Sequence, residues 1–418
     1  MDFTGESSTS TLRLATRLRA QRAGAWALAT LGDPLAALTQ RRGQLDPYPV
    51  YERIRRLGPL SRSRTGLWVT CSHELATVAV RDRRMRVRNN SDRLSDGLAA
   101  LSPGLDDSLI DLEPPDHTRL RRLIAPAFSR ARIERCRPVV EKIAGELLDN
   151  VGARFDLVTA YATPLPVAII SELLGIPDVD SARFAGYGRA LAGMLDGVRS
   201  LRQAAELHAA VDELKALLAS LVELRERAPR DDLISELCTS ELTAREIVAL
   251  CLQLLIAGFE TTTNLIANAV AALLDHPEQW AALAEDTGLA AAVVEETLRF
   301  DPPVQVTQRI ACEPIQLADQ VLAPGEQLIV GLAGASRDPE VFADPGRFDI
   351  HRPDAGEHLG FAGGHHYCVG APLARLEGEV ALATLAKRFP DLRQAGPPQR
   401  RPAMVLRGML GFPVTQGV

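Results

Sequence analysis

Residues 361–370, with the sequence FAGGHHYCVG, form a glycine-rich segment that ends just before apolar residues at helical spacing. The unpaired N–H groups and macrodipole at the N-terminus of the predicted helix favour a thiolate at Cys368 over a thiol. Gly364 and Gly370 allow the backbone to approach a flat partner closely. Such a thiolate suits an axial ligand of haem iron, because it donates electron density that favours O–O cleavage.

Zinc is an alternative, since His358, His365, His366 and Cys368 are all potential zinc ligands. Zinc sites usually combine two spaced pairs of ligands, and the sequence has no second Cys/His pair. A buried structural cysteine is the other alternative. The glycine-rich segment favours haem over both.

The longest helical pattern runs through residues 245–275 and is almost wholly apolar from Ile247 to Phe259. It continues as Glu260 and three threonines, whose hydroxyls can bond to carbonyls one turn earlier and bend the helix. An acid beside a hydroxyl is costly to bury in an apolar helix, so this notch indicates chemistry. The alternative is a wetted polar stripe, because Glu260, Asn264 and Asn268 lie at i, i+4 and i+8.

The glycine-rich segment resembles the haem-binding signature of the cytochrome P-450 superfamily: Phe, Gly, any, Gly, any, His or Arg, any, Cys, any, Gly. Ala362 departs from it, and an alanine there is expected to narrow the approach to the sulfur slightly. The resemblance implies haem b (iron protoporphyrin IX) as the cofactor, with Cys368 as the axial ligand of its iron. Phe361, His366 and Gly370 are implied to bind the same cofactor.

The polar notch resembles the family's oxygen-activating motif, Ala-Gly-any-acid-Thr-Thr, at residues 257–262. By that resemblance Thr261 would hydrogen-bond the bound dioxygen and Glu260 would help to relay protons, so these two are the expected catalytic residues. Ala257 is small, which would leave room above the haem for oxygen and substrate. The resemblance also implies that substrate is lined by Val304 and Gln305, with residues 84–110 as a lid.

Cations are needed for the two propionates of a haem, because buried carboxylates require positive or hydrogen-bonding partners. His117 and Arg121 stand four residues apart on a predicted helix that begins near Pro115, so both point to one side. They resemble the family's His-x-x-x-Arg clamp on the propionates, and Arg309 matches a strand arginine that reaches the same groups. His366 completes this set.

Glu296 and Arg299 match the family's Glu-x-x-Arg pair, and Arg347 matches the arginine of a Pro-x-Arg-Phe segment that joins the pair. Alone, a Glu and an Arg at i and i+3 form a surface pair worth about 0.2–0.5 kcal/mol. The resemblance implies that these three residues are structural and lock the loop leading to Cys368.

The 418 residues contain no linker, repeat or low-complexity tract that would divide them, so one large domain is expected despite the length. The resemblance implies a mainly α fold with small β-sheets (α+β), the P-450 fold. We expect an N-terminal arm at residues 1–45, a catalytic domain at 46–418, short strands between Val304 and Val330, and a final hairpin at 403–414.

A net charge of −6 gives no reason to expect nucleic acid as a partner. The six cysteines are scattered without a CxxC pair, which is typical of a reduced, cytoplasmic protein. No secretory signal is visible, and the apolar stretch at residues 23–38 is too short and too interrupted to be a transmembrane segment.

The resemblance implies a haem-thiolate monooxygenase that uses O2 to hydroxylate or epoxidise a hydrophobic small molecule. The sequence has no Rossmann fingerprint and no iron–sulfur cysteine cluster, so both electrons must come from outside. We expect a ferredoxin and a ferredoxin reductase with NAD(P)H, and the arginine-rich residues 119–137 suggest docking at Arg119 and Arg122. A solvated basic face is the alternative for these arginines.

Two other functions remain open at this point. A peroxygenase or an oxidative coupling enzyme would keep the haem and change the reaction, although the presence of both Glu260 and Thr261 favours the oxygen route. A haem-based gas sensor would need an output domain, which the sequence does not contain, and it would have no use for a proton relay.

Overall fold

The computed structural model describes residues 8–87, 108–177, 183–184, 186–188, 190 and 200–417, and α-helices dominate this part of the chain. The residues expected to form a lid over the substrate lie mostly outside the described residues. The α-helices of four or more residues are α1 Ser8–Thr30, α2 Pro34–Leu38, α3 Arg41–Leu45, α4 Tyr48–Arg56, α5 His73–Arg81, α6 Asp116–Ile124, α7 Arg130–Glu134, α8 Arg137–Asp149, α9 Pro164–Leu174, α10 Leu201–Arg227, α11 Leu233–Cys238, α12 Ala244–Leu274, α13 Pro277–Glu285, α14 Ala290–Phe300, α15 Leu332–Ala335 and α16 Ala371–Arg388.

The strands form four small sheets, so the expected mainly α fold with small β-sheets is confirmed. The strands are β1 Ser61–Arg62, β2 Trp68–Thr70, β3 Met85–Arg86, β4 Arg154–Asp156, β5 Thr307–Ala311, β6 Ile315–Leu317, β7 Gln320–Leu322, β8 Gln327–Val330, β9 Leu392–Gln394, β10 Gln399–Arg400, β11 Met409–Gly411 and β12 Pro413–Gln416. The largest sheet has the order β1-β2-β8-β5-β3, with β2 and β8 parallel. The others are β4-β12-β9, β10-β11 and β6-β7.

The last hairpin was predicted at residues 403–414, and this prediction is wrong in its bounds. The paired strands are β10 and β11, so most of the predicted first strand is the loop between them. β12 then pairs with β4 and β9 in a different sheet. Strands of two to four residues carry a weak sequence pattern, and pairing with distant strands decided their ends.

Helix α12 is the centre of the fold and carries the polar notch. It starts with a capping box, in which Thr243 caps the N–H of Glu246 and the Glu246 carboxylate accepts from the N–H of Thr243. Its apolar residues are buried nearly all round, in contact with α9, α10, α14 and α16. The helix is long and apolar enough to cross a membrane, but most of its apolar window is buried inside this fold. It is therefore the core helix of a globular domain.

A buried ion pair ties α14 to the segment before the cysteine loop. Arg299 donates to both carboxylate oxygens of Glu296, at 2.7 and 2.8 Å, and to the backbone carbonyls of Pro345 and Arg347 at 2.9 Å. The side chain of Arg347 is exposed, so the prediction that it joins the pair is wrong. Arg352 takes that place, with Nε 3.4 Å from Glu296 Oε2.

Candidate active site

One cavity of about 350 Å³ lies between α12 and the loop of residues 361–370. Its walls are mostly apolar, and Ala257 of α12 is exposed to it. It also contains nearly every residue that the sequence marked for chemistry. The predicted residues that line it are Glu260, Thr261, Ala257, His117, Arg121, Arg309, Phe361, His366, Cys368, Gly370 and Val304.

Cys368 lies on the wall of this cavity, where its residue is exposed although protein atoms surround it. Its N–H donates to the carbonyl of Phe361 at 3.2 Å. Helix α16 begins at Ala371 with Gly370 as its N-cap, so the cysteine precedes the first turn. Burial raises the pKa of the Cys368 thiol above its usual range, although the N–H groups of Gly370 and Ala371 and the charge of Arg121 oppose this. The helix N-terminus therefore does not make the thiolate alone, whereas a coordinated metal ion deprotonates a thiol outright.

The backbone of the cysteine loop turns through two left-handed residues, Ala362 with φ 55° and Gly364 with φ 66°. A Cβ on Gly364 would lie 2.4 Å from the carbonyl oxygen of Val80, so this glycine allows close approach to α5. Gly364 thus allows the loop to pack against α5, and not the approach to a flat partner that the sequence predicts. Ala362 stands where the family usually has glycine, and its cost is backbone strain.

The threonines of the notch bond back along α12, as the sequence predicted. Thr261 Oγ1 donates to the carbonyl of Ala257 at 2.6 Å, and Thr262 Oγ1 donates to that of Gly258 at 2.9 Å. The helix runs on through the notch without interruption. Thr261 is half-buried and faces the cavity, so its hydroxyl can turn from its own helix to a partner there.

Glu260 forms an ion pair that the sequence did not reveal. Arg401 Nη1 donates to Glu260 Oε1 at 2.7 Å, and both side chains are largely buried. The two residues are 141 positions apart, so no local spacing could indicate this pair. The only signal was the Arg400-Arg401 doublet beside the final hairpin.

Four positive or donor side chains gather at one end of the cavity, namely His117, Arg121, Arg309 and His366. Burial lowers the pKa of Arg309 to about 10 and that of His117 to about 4. Nδ1 of His117 and Nε2 of His366 are buried and have no hydrogen-bond partner in the described part of the chain. Buried cations and orphaned ring nitrogens at one place suit bound carboxylates, so this end fits the propionates of a haem.

Glu113 also lies at this end, and the sequence interpretation missed it. It accepts from the N–H of Val87 at 2.6 Å and lies 3.5 Å from His365 and 3.8 Å from His366. Burial raises the pKa of its carboxyl, but His366 and that N–H outweigh burial and lower the pKa overall. The ligand atoms of Glu113, His365 and His366 lie within 4.8 Å of one another, and Cys368 is outside this group. Cys368 is therefore too far from these groups to share a zinc site with them.

The prediction that Gln305 lines the cavity is wrong. Gln305 is buried away from the cavity, donates to the carbonyl of Pro302 at 2.7 Å and accepts from the Tyr51 hydroxyl at 3.2 Å. Val304 and Val306 line the cavity on either side of it. Alternate residues of an extended segment face opposite sides, which places Gln305 on the far side.

Comparisons with known proteins agree with this geometry. The sequence profile of the family described as Cytochrome P450 matches residues 199–409. A protein of Mycobacterium tuberculosis named Putative cytochrome P450 140 is 39% identical over 415 residues, covering 92% of this chain and 94% of the relative. Cytochrome P450 monooxygenase PikC of Streptomyces venezuelae is 39% identical, covering 93% of each chain.

Solved structures are similar over nearly the whole chain. Ligand-free CYP164A2 of Mycobacterium smegmatis matches with a TM-score of 0.83 and 40% identity, covering 91% of this chain and 99% of that one. P450BioI in complex with a fatty-acyl-ligated acyl carrier protein matches with a TM-score of 0.85 and 33% identity, covering 90% and 99%.

Fold and site together define a haem-thiolate enzyme, and the comparisons add the family: the chain belongs to the cytochrome P450 family. It is a monooxygenase of hydrophobic small molecules, of the type found in actinobacteria. It uses haem, O2 and electrons from redox partners. The comparisons therefore support the monooxygenase over the peroxygenase and gas-sensor alternatives.

Proposed function

We propose that Glu260 and Thr261 control proton delivery in a reaction that inserts one oxygen atom into a C–H bond or a double bond. Insertion at a C–H bond consumes the substrate, O2, two electrons and two protons, and it yields the alcohol and one water. The haem supplies the iron that activates dioxygen. The protein must supply the two protons without opening the cavity to bulk water.

The positions of Thr261 and Glu260 on the cavity wall support this proposal. Thr261 Oγ1 has one hydrogen bond, to Ala257, and can donate into the cavity after a rotation about its side-chain bond. Glu260 lines the same cavity next to Thr261, and 14% of its side chain is exposed to solvent. A carboxylate next to a hydroxyl thus forms a short route from the edge of the cavity to its centre.

We also propose haem b as the particular cofactor, held by Cys368 through its iron and by His117, Arg121, Arg309 and His366 through its propionates. The four propionate partners are buried or half-buried cations and donors, and the apolar walls suit the macrocycle. Phe361, Gly370 and Ala257 would contact its faces. Residues 46–418 are proposed as the catalytic domain, with residues 1–45 as an N-terminal arm.

A ferredoxin, reduced by a ferredoxin reductase and NAD(P)H, is our proposal for the electron donor. Helices α6 and α7 carry exposed arginines beside the cysteine end of the cavity, and an acidic partner would be steered there. Arg119 forms an ion pair with Glu246, which makes it a poor docking residue. Arg122 makes only a loose surface pair, with Nη2 3.7 Å from Glu241 Oε1 and 75% of its side chain exposed, so it and the exposed Arg130 and Arg135 are better candidates.

We propose the cytoplasm as the location, because the six cysteines, all within the described residues, are free. The substrate is proposed to be a compact and mostly apolar molecule. Outside the cation end and the notch, few polar groups line the cavity, and Gln253 already uses Oε1 to accept from the N–H of Leu109. Structures of relatives hold myristic acid and testosterone, which are therefore reasonable probes.

The observation that carries the proposed function is that Cys368 and the Glu260–Thr261 pair line one apolar cavity. The experiment combines haem-loaded protein with a ferredoxin, its reductase, NAD(P)H and isotopically labelled dioxygen, with myristic acid and testosterone as probes. One labelled oxygen atom in the product is expected. A reduced sample under carbon monoxide without the strongly red-shifted Soret band of a thiolate-ligated haem would overturn the proposal.

A further inference from the structure

The ion pair between Arg401 and Glu260 joins the oxygen side of the cavity to the C-terminal hairpin. Arg401 lies at the start of the loop between β10 and β11, which we call the hairpin loop (residues 401–408). The N–H of Arg401 donates to the carbonyl of Gly408 at 3.1 Å and closes this loop. Its Nη2 reaches the carbonyl of Leu406 at 3.5 Å, while Nη1 holds Glu260. One guanidinium thus braces both the loop and the acid.

The same loop forms part of the cavity wall. Val405 and Leu406 line the cavity, and Leu406 forms an isolated β-bridge with Val304. Arg401 does not line the cavity and lies behind Glu260. A molecule in the cavity can therefore contact the hairpin loop at one end, while the other end of the loop fixes the carboxylate of Glu260.

The polar residues of α12 pack against this hairpin over more than two helical turns. Glu260, Asn264 and Asn268 were predicted as a notch or a wetted stripe, and the structure buries the latter two against the hairpin. A Cβ on Gly408 would lie 1.8 Å from Asn264 Oδ1. Asn268 accepts from Arg400 Nη1 at 3.3 Å. The register between helix and hairpin is therefore fixed, and Arg401 has a defined approach to Glu260.

We propose that Arg401 is a positioning residue that couples occupation of the cavity to the orientation of the Glu260 carboxylate. This inference rests on the proposed function, because it assumes that Glu260 takes part in proton delivery. A substrate that presses on Val405 and Leu406 changes the position of the hairpin loop, and Arg401 transmits that change to the acid. By thermodynamic linkage, the state of the ion pair must also change how the loop packs.

The first test measures amide hydrogen exchange in the hairpin loop of the haem-loaded protein. Arg401→Gln and Glu260→Gln are each expected to raise exchange in residues 401–408 by about tenfold, the change expected for one lost hydrogen bond between charged groups. The double variant should show no further increase, since both changes remove one contact. Arg393→Gln, at an exposed arginine of β9, is the matched control and should leave this exchange unchanged.

The second test follows the fate of oxygen when NAD(P)H drives the enzyme through a ferredoxin and its reductase without substrate. Oxygen then leaves as hydrogen peroxide, after two electrons and two protons, or as two waters, after four of each. Because water formation needs further protons, Arg401→Gln and Glu260→Gln are each expected to raise the peroxide-to-water ratio about tenfold. Arg401→Lys keeps the positive charge and should restore most of the wild-type ratio and its solvent deuterium isotope effect.

The outcomes separate this inference from the proposed function. A wild-type enzyme without the thiolate-type Soret band under carbon monoxide would defeat the proposed function itself. A normal ratio in Glu260→Gln would remove the role of the acid and with it the role of Arg401. If Glu260→Gln raises the ratio but Arg401→Gln does not, or if the two variants act additively on loop exchange, the coupling through Arg401 is wrong.

Discussion

Arg299 and Glu296 form a two-point ion pair in which neither side chain is exposed to solvent. The remaining donors of Arg299 bind backbone carbonyls of the segment before the cysteine loop, including those of Pro345 and Arg347. Glu296 Oε1 in turn accepts from the N–H of Asp349 at 2.8 Å. A pair that would contribute little on a helix surface thus fixes the start of the chain that leads to Cys368.

Removal of one partner should be severe. Arg299→Ala leaves the buried carboxylate of Glu296 without its main partner, and such a change costs about 3–5 kcal/mol. We expect denaturant unfolding of the haem-loaded protein to show this loss. Arg347→Ala is the matched control, because only its backbone carbonyl is used, and it should change stability by less than about 0.5 kcal/mol. A large effect of Arg347→Ala would restore the original sequence prediction.

Ala362 offers a change that should stabilise the protein. Its φ of 55° is left-handed, which costs a non-glycine residue about 1–2 kcal/mol. Ala362→Gly relieves that strain. It also removes one packed methyl group and raises the conformational entropy of the unfolded chain, so the free energy of unfolding is expected to rise by only about 0.5–1 kcal/mol. Chemical unfolding measures it. Ala383→Gly, inside α16, is the control and should lose about 1 kcal/mol.

Glu295 gives a pH dependence with a defined sign. Burial would raise the pKa of Glu295, but hydrogen bonds from His358 and Arg375 hold it down at about 2. The folded pKa lies below the unfolded value of about 4.5, so this stabilisation is full above pH 4.5 and is lost as pH falls towards 2. It amounts to roughly 3 kcal/mol. Unfolding midpoints between pH 6 and pH 3 should therefore depend less on pH in Glu295→Gln.

The control for this pH effect is Glu340→Gln, which changes an exposed acid. Its stability should follow the same pH curve as the wild type. If the stability of Glu295→Gln falls with pH as steeply as that of the wild type, pairing with His358 and Arg375 does not lower the pKa of the Glu295 carboxyl.

Thr261 can be tested without knowing the substrate. Thr261→Ala removes the hydroxyl that can donate into the cavity, so a larger share of the oxygen consumed should appear as hydrogen peroxide. The rate of product formation should fall by at most about 10²–10⁴-fold, the usual contribution of a general acid. Thr261→Ser keeps the hydroxyl and should resemble the wild type. Ser220→Ala serves as the control, because this hydroxyl on α10 also bonds to a carbonyl of its own helix, at 3.0 Å, but does not line the cavity. Unchanged peroxide release in Thr261→Ala would contradict the relay.

The arginine face makes a prediction about electron transfer. The double change Arg122→Gln and Arg135→Gln removes two exposed charges and should slow reduction by an acidic ferredoxin, most clearly at low salt. Stopped-flow reduction at several ionic strengths measures this. Arg393→Gln lies on β9 and should have little effect. Equal slowing by both sets would indicate a general charge effect with no docking face.

Much of the site could be predicted because its chemistry is encoded in short local patterns. The cysteine loop, the acid–threonine notch and the His117–Arg121 spacing each lie within ten residues, and local geometry carries them onto one surface. The back-bonding of Thr261 to Ala257 followed from helix geometry alone. The bounds of α12 also followed from the sequence, since the long apolar run predicts residues 245–275 and the helix runs from Ala244 to Leu274.

Errors arose where a side chain depends on a distant part of the chain. Arg347 and Arg352 both follow the same loop, and only packing against Glu296 decides that the latter is buried. The family resemblance places both Val304 and Gln305 in the cavity, but the alternation of the extended chain turns Gln305 towards Tyr51.

The sequence by itself marked Cys368, the Glu260–Thr261 pair and the His117–Arg121 pair as candidates, because each lies in a short motif of fixed spacing that resembles one of the family. Only the tertiary structure decided that Arg401 holds Glu260 and that Glu113 lies beside His365 and His366. These contacts join residues far apart in the chain, and no local pattern constrains them. Their physical basis is that buried charges must find partners wherever the packed chain supplies them.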